Sequence, residues 1–387
     1  MKVASPRGEM TVSIWQDRGE RAVDACDVVV VGAGIVGVAT AARLAQEGLH
    51  VAILEARTVA SGATGRNAGM VLTGLAEHYS RAVEAYGRER AREAWALTAE
   101  NRERLIETAQ RLGVPVERTG SLLLAVRQPE VETLQATAAL LQEDGFRAVF
   151  EPTDPLGRGF LAGLHQPDDA VVDPVALTER LLEESGVPCH TNTEVYRLEK
   201  EGADVRVWAR RRTVRAAAVV LAVNAYAPLL DRYFVGKITP TRGQVLSTAP
   251  LPKTVLEVPC YADYGYEYFR QLETGEFLLG GWRQHYKDQE KGYADEVTDQ
   301  VQQGLEHFLA RYFPDVREKV THRWSGVMGF SPDGLPLIGS LPHLPQVYFA
   351  VGFTGHGLGW CFVAAERVTR LLLHGEQPGL LSARRLS

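Results

Sequence analysis

A glycine motif, Gly32-x-Gly34-x-x-Gly37, constrains this chain more than any other feature because it stands between two apolar segments. Val28–Val31 precedes it and is typical of a strand buried in a parallel sheet. Residues 38–48 then show helical spacing of apolar side chains, and residues 49–54 predict a second strand that ends at Glu55. The segment therefore predicts a complete β-α-β unit, the context in which this motif has a physical mechanism.

That mechanism is the binding of a dinucleotide. Gly32 permits the tight turn, Gly34 lets a pyrophosphate approach the backbone, and Gly37 lets the helix pack closely on the strand. The helix start offers N–H groups and a partial positive charge, and Glu55 can accept hydrogen bonds from a ribose diol. A glycine-rich core turn without a ligand is the alternative, and the unit by itself does not separate NAD from FAD. The predicted ligands here are Gly32, Gly34, Ile35, Val36, Gly37, Glu55, Ala56 and Arg57.

Length and composition narrow the class of protein. The 387 residues suit two domains, and the net charge of −6 is scattered, which disfavours nucleic acid as a partner. The four cysteines lie far apart without a CxxC motif, so we expect no metal site, no disulfide framework and a cytoplasmic location. No signal peptide is evident, and the longest apolar run, residues 28–42, is too short to span a membrane. The sequence leaves homo-oligomer formation open.

Apolar periodicity predicts the other regular elements. Helices are expected in these ranges: 81–112, 130–144, 174–185, 298–312 and 360–374. Strands are expected in these: 121–126, 195–198, 204–208, 218–223 and 347–351. The region 238–282 is rich in β-forming residues and crowds five aromatic side chains between Tyr261 and Phe269. The chain therefore combines a second set of strands with the β-α-β unit.

Further motifs follow in order along the chain. They are SGATGRNAG at 61–69, Glu194-Val195, VLAVNAY at 220–226, TRGQ at 241–244, a segment from Trp324 to Gly339 that contains SPDGLPLIG, and GFTGHG at 352–357. On these motifs the chain resembles the D-amino-acid oxidase superfamily of flavoproteins, in particular its glycine oxidase, sarcosine oxidase and gamma-glutamylputrescine oxidase branch. The Ser13-Ile-Trp15 sequence is similar to the last of these. The resemblance covers nearly the whole chain.

The resemblance implies an α/β fold in which a Rossmann-like, two-dinucleotide-binding FAD domain is interleaved with an antiparallel-sheet substrate domain. The FAD domain would comprise residues 1–80, 145–235 and 326–387, and the substrate domain 81–144 and 236–325. The resemblance adds these FAD ligands: Ser61, Thr64, Arg66, Asn67, Ala68, Gly69, Val195, Asn224, Gly329, Gly355, His356, Gly357 and Leu358.

It also implies the chemistry. A neutral amine is held with its C–H over flavin N5, hydride leaves to the flavin, and the resulting imine is hydrolysed by water. The Gly355-His356-Gly357 turn would place N–H groups and a helix N-terminus near the flavin pyrimidine ring, where they stabilise negative charge. His356 would either add positive charge there or serve as a structural histidine in the turn. No dedicated base is required.

Three departures from the family pattern concern cofactor attachment and substrate. Gly326 and Arg66 stand where some relatives carry the Cys or His that attaches flavin covalently, so we predict non-covalent FAD. Met328 replaces the carboxylate-binding Arg of glycine oxidases, and Gly359 replaces a Lys of sarcosine oxidases. The segment 277–282 also lacks the Lys that activates oxygen in sarcosine oxidases, so the electron acceptor stays open.

Because the Arg of glycine oxidases and the Lys of sarcosine oxidases are both missing, we expect a substrate that lacks a carboxylate at Cα or is held by another arginine. The candidates are Arg66, Arg242, Arg270 and Arg283. Arg270 shares a strand face with Tyr266 and Tyr268, which would hold an amine or an apolar tail, or form core instead. The predicted catalytic set is His356, Arg270, Tyr266, Tyr268 and Arg242.

The sequence thus predicts an FAD-dependent enzyme that oxidises a C–N bond of a small primary or secondary amine. One alternative is an amino-acid oxidase or dehydrogenase of the glycine, sarcosine or proline type. Another is an NAD-dependent dehydrogenase, which explains the first glycine motif but not the later ones. A third is a non-catalytic FAD-binding subunit of a larger complex.

Overall fold

A computed structural model describes residues 22–386, so the Ser13-Ile-Trp15 motif lies outside the described residues. The strands are β1 (Ala22–Val31), β2 (Val51–Leu54), β3 (Met70–Val71), β4 (Val116–Glu117), β5 (Ser121–Ala125), β6 (Val149–Glu151), β7 (Ala162–Gln166), β8 (Ala170–Val172), β9 (Cys189–His190), β10 (Val195–Glu201), β11 (Asp204–Ala209), β12 (Arg212–Leu221), β13 (Thr239–Thr248), β14 (Cys260–Ala262), β15 (Glu267–Gln271), β16 (Phe277–Gly281), β17 (Val320–Phe330), β18 (Leu337–Leu341) and β19 (Leu344–Val351). The α-helices are α1 (Ile35–Gln46), α2 (Tyr79–Tyr86), α3 (Arg88–Arg111), α4 (Gln128–Glu143), α5 (Pro174–Ser185), α6 (Ala227–Leu230), α7 (Asp299–Tyr312) and α8 (Cys361–His374).

The predicted β-α-β unit is confirmed as β1, α1 and β2. The helix begins at Ile35, directly after Gly34, and β2 ends one residue before Glu55. β1 starts earlier than its apolar core predicts, at Ala22, because its first half pairs in parallel with the first half of β12. Backbone pairing therefore extends the strand beyond the part that apolar side chains mark.

One compact unit is built on an eight-stranded sheet that is parallel at its centre. Its strands run in the order β10-β11-β12-β1-β2-β9, and the β18-β19 hairpin joins through a parallel pairing of β19 with β12. Val28–Val31 are all buried, as a strand covered on both faces requires. Helices α5 and α8 both pack against α1. The carboxyl ends of β1 and β2 carry the glycine motif and Glu55, the position at which such sheets bind ligands.

A second compact unit contains an eight-stranded sheet in the order β17-β13-β16-β15-β14-β5-β7-β6 and a small sheet in the order β3-β8-β4. One face of the large sheet forms an apolar core with α7, in which Phe269, Phe277 and Leu279 meet Phe308 and Phe313. Because side chains alternate along a strand, residues between these core positions belong to the opposite face. That face carries the tyrosines singled out from the sequence.

Of the described residues, the first unit holds 22–65, 174–240 and 328–386, and the second holds 66–173 and 241–327. This division differs from the predicted one at residues 66–80, 145–173 and 326–327, which are predicted to belong to the FAD domain, and at residues 236–240, which are predicted to belong to the substrate domain. The pairing explains the difference, since β6 and β7 extend the second unit's large sheet, and β8 pairs with β3 and β4. The mixed α/β class is confirmed. None of the helices in residues 22–386 combines the length and apolarity needed to cross a membrane.

Candidate flavin site and tyrosine face

The glycine turn after β1 is closed too tightly for side chains. Gly32 has a φ of +104°, and a Cβ there would lie 2.8 Å from the carbonyl oxygen of Ala222. A Cβ on Gly37 would overlap the carbonyl oxygen of Gly32. Both glycines are therefore required by backbone contacts within the first unit, which holds the start of α1 against the end of β1.

The start of α1 is contacted by a residue of the second glycine-rich loop. The Thr64 hydroxyl accepts a hydrogen bond from the Ile35 N–H at 3.1 Å, and a Cβ on Gly34 would lie 3.1 Å from the same oxygen. Within residues 22–386 we find no acceptor for the N–H groups of Val36 and Gly37, which follow in the first helical turn. Such N–H groups are donors for phosphate oxygens.

Glu55 is fixed by two backbone donors. Its Oε2 accepts from the Ala33 N–H at 2.8 Å, and its Oε1 accepts from the Arg57 N–H at 2.7 Å. The carboxylate is thereby oriented beside the glycine turn, and its remaining lone pairs suit the hydroxyls of a ribose. The tight turn, the helix-start donors and this carboxylate together fit the adenosine diphosphate part of a dinucleotide.

A loop near the C-terminus is closed around Asn224. The Asn224 side-chain oxygen accepts from the N–H groups of Gly352 and Phe353 at 3.0 and 3.3 Å. A Cβ on Gly329 would lie 2.8 Å from that oxygen, so Gly329 leaves room for it. Thr354 and Gly355 both have positive φ, and the chain then enters the turn Gly357–Gly359 that precedes α8. Asn224 thus positions the loop through its carboxamide.

His356 lies in this turn, and its surroundings decide between the two roles predicted for it. Burial lowers the pKa of His356 to about 4, so the imidazole is neutral at pH 7. This argues against the prediction that His356 adds positive charge, which stays untested. The neutral ring leaves the N-terminus of α8 and the backbone N–H groups as the local source of positive potential.

Arg66 and Arg242, two of the candidate arginines, donate to protein carboxylates. Arg242 is buried and donates from Nε and Nη2 to both oxygens of Glu290, each at 2.7 Å. Arg66 donates to Asp295 at 2.5 Å and to the Ser325 carbonyl at 2.6 Å. These contacts argue against the predicted substrate contact for Arg242, which stays untested, and give its side chain a structural task.

We call the second face of the large sheet the tyrosine face and define it by Tyr261, Tyr266, Tyr268, Arg270 and Arg283. The Tyr261 and Tyr268 rings lie 6.2 Å apart on paired strands. The Arg283 guanidinium lies over the Tyr266 ring, 4.7 Å from its centre. Both rings of the first pair also pack against the segment that contains Ala68, Met70 and Leu72. The structure therefore brings the predicted Tyr266 next to the candidate Arg283 and adds Tyr261 beside the predicted Tyr268.

Gly280 was missed by the sequence interpretation. It pairs with Tyr268 across β15 and β16, and a Cβ on it would overlap the phenol ring. The Tyr268 ring therefore lies flat over backbone. The sequence feature that could have indicated this contact is the Gly-Gly pair at the end of an otherwise apolar strand, since glycine in a strand often marks the close approach of another group.

The two positions associated with covalent flavin attachment in relatives are neighbours. A Cβ on Gly326 would lie 3.0 Å from the Arg66 Cβ. Neither residue carries a thiol or an imidazole. Met328, which stands where glycine oxidases have an arginine, lies with its sulfur 3.5 Å from the Cβ position of Gly355. Its thioether provides no charge for a carboxylate.

The other predicted ligands occupy four places. Ala56 and Arg57 follow Glu55, and Ser61 accepts a hydrogen bond from Arg57 at its carbonyl. Asn67 accepts from the Gly69 N–H at 2.7 Å. Val195 lies in the apolar core of the first sheet, and Leu358 is buried in the turn before α8. Ligation of FAD by any of these stays a prediction.

A parallel sheet with this glycine turn and carboxylate defines a dinucleotide-binding α/β protein. The family model described as FAD-dependent oxidoreductase, DAO, matches residues 27–371. The chain therefore belongs to the DAO family of FAD-dependent oxidoreductases, and FAD is its cofactor.

Curated and solved proteins agree with this assignment. The chain is 26% identical to gamma-glutamylputrescine oxidoreductase of Escherichia coli, covering 90% of this chain and 83% of that protein. It is 27% identical to glycine oxidase of Pseudomonas aeruginosa, covering 91% and 95%. Its fold matches the crystal structure of glycine oxidase from Geobacillus kaustophilus with a TM-score of 0.77 at 22% identity, covering 90% and 95%.

Replacing Glu55 by Gln is expected to weaken FAD binding roughly tenfold to a hundredfold. The amide presents a donor toward one of the two backbone N–H groups that now donate to the carboxylate. Losing a charge-assisted acceptor costs about 1.5–3 kcal/mol. Titration of the apoprotein with FAD, followed by flavin fluorescence, measures the dissociation constant. Glu47→Gln, at an exposed position after α1, is the control, and equal affinities for both variants would contradict the role of Glu55.

Proposed function

We propose that this protein oxidises a C–N bond of a small primary or secondary amine, with the substrate held at the tyrosine face. One observation supports the proposal: paired tyrosine rings and a guanidinium line one face of the sheet, and Gly280 leaves room for the Tyr268 ring on that face. Two of the relatives are named gamma-glutamylputrescine oxidoreductase and glycine oxidase, and these names give the compound on which each protein acts. Both names describe compounds with a C–N bond.

The cofactor supplies the redox step when bound, taking hydride at N5 from the carbon next to nitrogen. The chain would hold it non-covalently, since Gly326 and Arg66 offer no nucleophile for attachment. Glu55 and the start of α1 would hold the adenosine diphosphate part. Backbone N–H groups of the turn before α8, beside a neutral His356, would stabilise negative charge on the reduced ring.

The tyrosine face would bind the substrate without removing its proton. Burial raises the pKa of Tyr268 to about 12 and raises that of Tyr261 further, so both phenols are neutral at pH 7. Neutral phenols orient an amine through stacking, cation–π contact and hydrogen bonding. The amine would therefore lose its proton before hydride transfer, and the rate should rise with pH toward the pKa of the bound amine.

We favour an amine over an α-amino acid as the substrate because three of the four candidate arginines already donate hydrogen bonds to protein oxygens. Arg66, Arg242 and Arg270 each donate to protein oxygens, and Met328 is uncharged. Arg283 lies over the Tyr266 ring, so an acidic substrate group at the tyrosine face would lie near its guanidinium. Steady-state turnover with matched pairs, such as an amine and its α-carboxylated analogue, separates the two. Activity confined to α-amino acids would overturn the amine preference and assign Arg283 to the carboxylate.

Gly280→Ala should raise KM for the amine at least tenfold and leave the FAD dissociation constant unchanged. The added methyl overlaps the Tyr268 ring, so the ring must leave its place on the face. Steady-state kinetics and FAD titration measure the two effects. Gly145→Ala is the control for a methyl group that meets nothing within 4 Å, although its φ of +86° adds a backbone cost that Gly280 does not carry. An unchanged KM in Gly280→Ala would show that substrate does not use this face.

A further inference from the structure

The second glycine-rich loop is attached at both of its ends. At the first end, the Ala60 N–H donates to the Ala33 carbonyl at 3.0 Å, and Thr64 accepts from Ile35 at the start of α1. Residues 60–65 are therefore fixed to the glycine turn that would hold the pyrophosphate. Three residues further on, the chain reaches Ala68 and Gly69, whose carbonyls meet a side chain of the large sheet in the second unit.

That side chain is Arg270, on β15. Its Nη1 donates to the carbonyl oxygens of Ala68 and Gly69 at 3.2 and 3.1 Å. The Gly69 carbonyl also accepts from the Val172 N–H at 2.9 Å, where β3 joins the small sheet. One guanidinium nitrogen thus holds two consecutive carbonyls at the point where the loop becomes strand.

Acidic side chains surround the Arg270 guanidinium. Glu117 and Glu273 line the same pocket as Arg270, and they hydrogen-bond to each other, which raises the pKa of Glu117. Burial lowers the pKa of Arg270, and Glu117, Asp173 and Glu273 oppose that effect. Acidic side chains of the same unit therefore stabilise the charged arginine where it lies.

We propose that Arg270 is a positioning residue. It holds Ala68 and Gly69, at the end of the second glycine-rich loop, against the tyrosine face, instead of contacting substrate as the sequence suggested. Tyr261 and Tyr268 pack on Ala68, Met70 and Leu72, so the same arginine that clamps the loop also fixes what covers these rings. Residues 60–65 come shortly before the clamped segment in the sequence. The proposal rests on the FAD site proposed above for these residues.

Two variants test this role, with Arg147→Gln as the control because Arg147 is an exposed arginine of the same unit. In Arg270→Gln we expect the FAD dissociation constant to rise at least tenfold and the visible flavin bands to shift. Arg270→Lys should recover part of the affinity, since its ammonium can still donate to a carbonyl. A tenfold rise in KM with unchanged FAD affinity would instead establish substrate contact and overturn the proposal.

Hydrogen exchange on the apoprotein tests the clamp without flavin or turnover. In Arg270→Lys, the amides of residues 67–72 should exchange at least tenfold faster than in the wild type, and those of β16 should not. Equal exchange of 67–72 in both proteins would overturn the clamp, and faster exchange throughout the unit would show a general loss of stability instead. Failure of the wild-type protein to bind FAD would count against the proposed function, and this measurement would still decide the role of Arg270.

Discussion

Gly37→Ala is expected to yield protein that has lost at least nine-tenths of its FAD. The new methyl group would overlap the Gly32 carbonyl, which is backbone and cannot turn aside as a side chain can. Overpacking in a tight core usually costs about 1–3 kcal/mol, and here relief requires α1 to move away from β1. Because the same movement displaces the N–H groups at the helix start, cofactor binding should fall more than stability does.

The ratio of flavin to protein absorbance in the purified variant measures this effect, and thermal denaturation shows whether the chain is folded. Gly48→Ala is the matched control. Gly48 has a positive φ, +83°, which Gly37 does not have, but a Cβ there meets nothing within 4 Å. It should keep its FAD at a cost in stability of about 1 kcal/mol. Full FAD content in Gly37→Ala would contradict the placement of the dinucleotide at this turn.

Arg242→Met should destabilise the protein by about 3–5 kcal/mol, because it leaves the buried Glu290 carboxylate without its main partner. The side chains of this pair are 5% and 1% exposed. Chemical denaturation of the apoprotein measures the loss. Arg147→Met is the control, since its pair with Asp168 is largely exposed and should contribute about 1 kcal/mol or less.

The double replacement Arg242→Met, Glu290→Met separates a structural pair from a substrate contact. Removing both charges should recover much of the stability lost in Arg242→Met, because no buried carboxylate is left. KM measured on the folded double variant should stay within about twofold of wild type. If Arg242→Met is as stable as wild type and its KM rises sharply, the arginine binds substrate as the sequence suggested.

Local chemical signals account for the parts of the fold that the sequence predicted well. The helix predicted at 174–185 is observed as Pro174–Ser185, because Asp173-Pro174 provides both a cap and a fixed first residue. None of the three strands of the small sheet is predicted, since they are two or three residues long and too short to show a period. Residues 145–173 lie in a different compact unit from the predicted one because strand pairing partners are distant in sequence.

The candidate site likewise contains residues whose roles follow from local sequence and residues whose roles depend on distant partners. Glu55 and the glycine turn could be predicted because their roles follow from spacing within one β-α-β unit. The roles of the arginines could not, because Arg242 is paired with Glu290 and Arg270 with the carbonyls of Ala68 and Gly69. The charge of His356 depends on burial, which no local pattern reveals. Side chains whose function depends on distant partners require the structure.

The central claim is that amine oxidation takes place on FAD bound to this chain. Its most direct test is the visible spectrum of the purified protein, recorded without oxygen before and after addition of a series of small primary and secondary amines. We predict flavin bands that bleach with at least one amine. Flavin bands that no amine or amino acid bleaches would contradict the claim and favour a non-catalytic FAD-binding subunit.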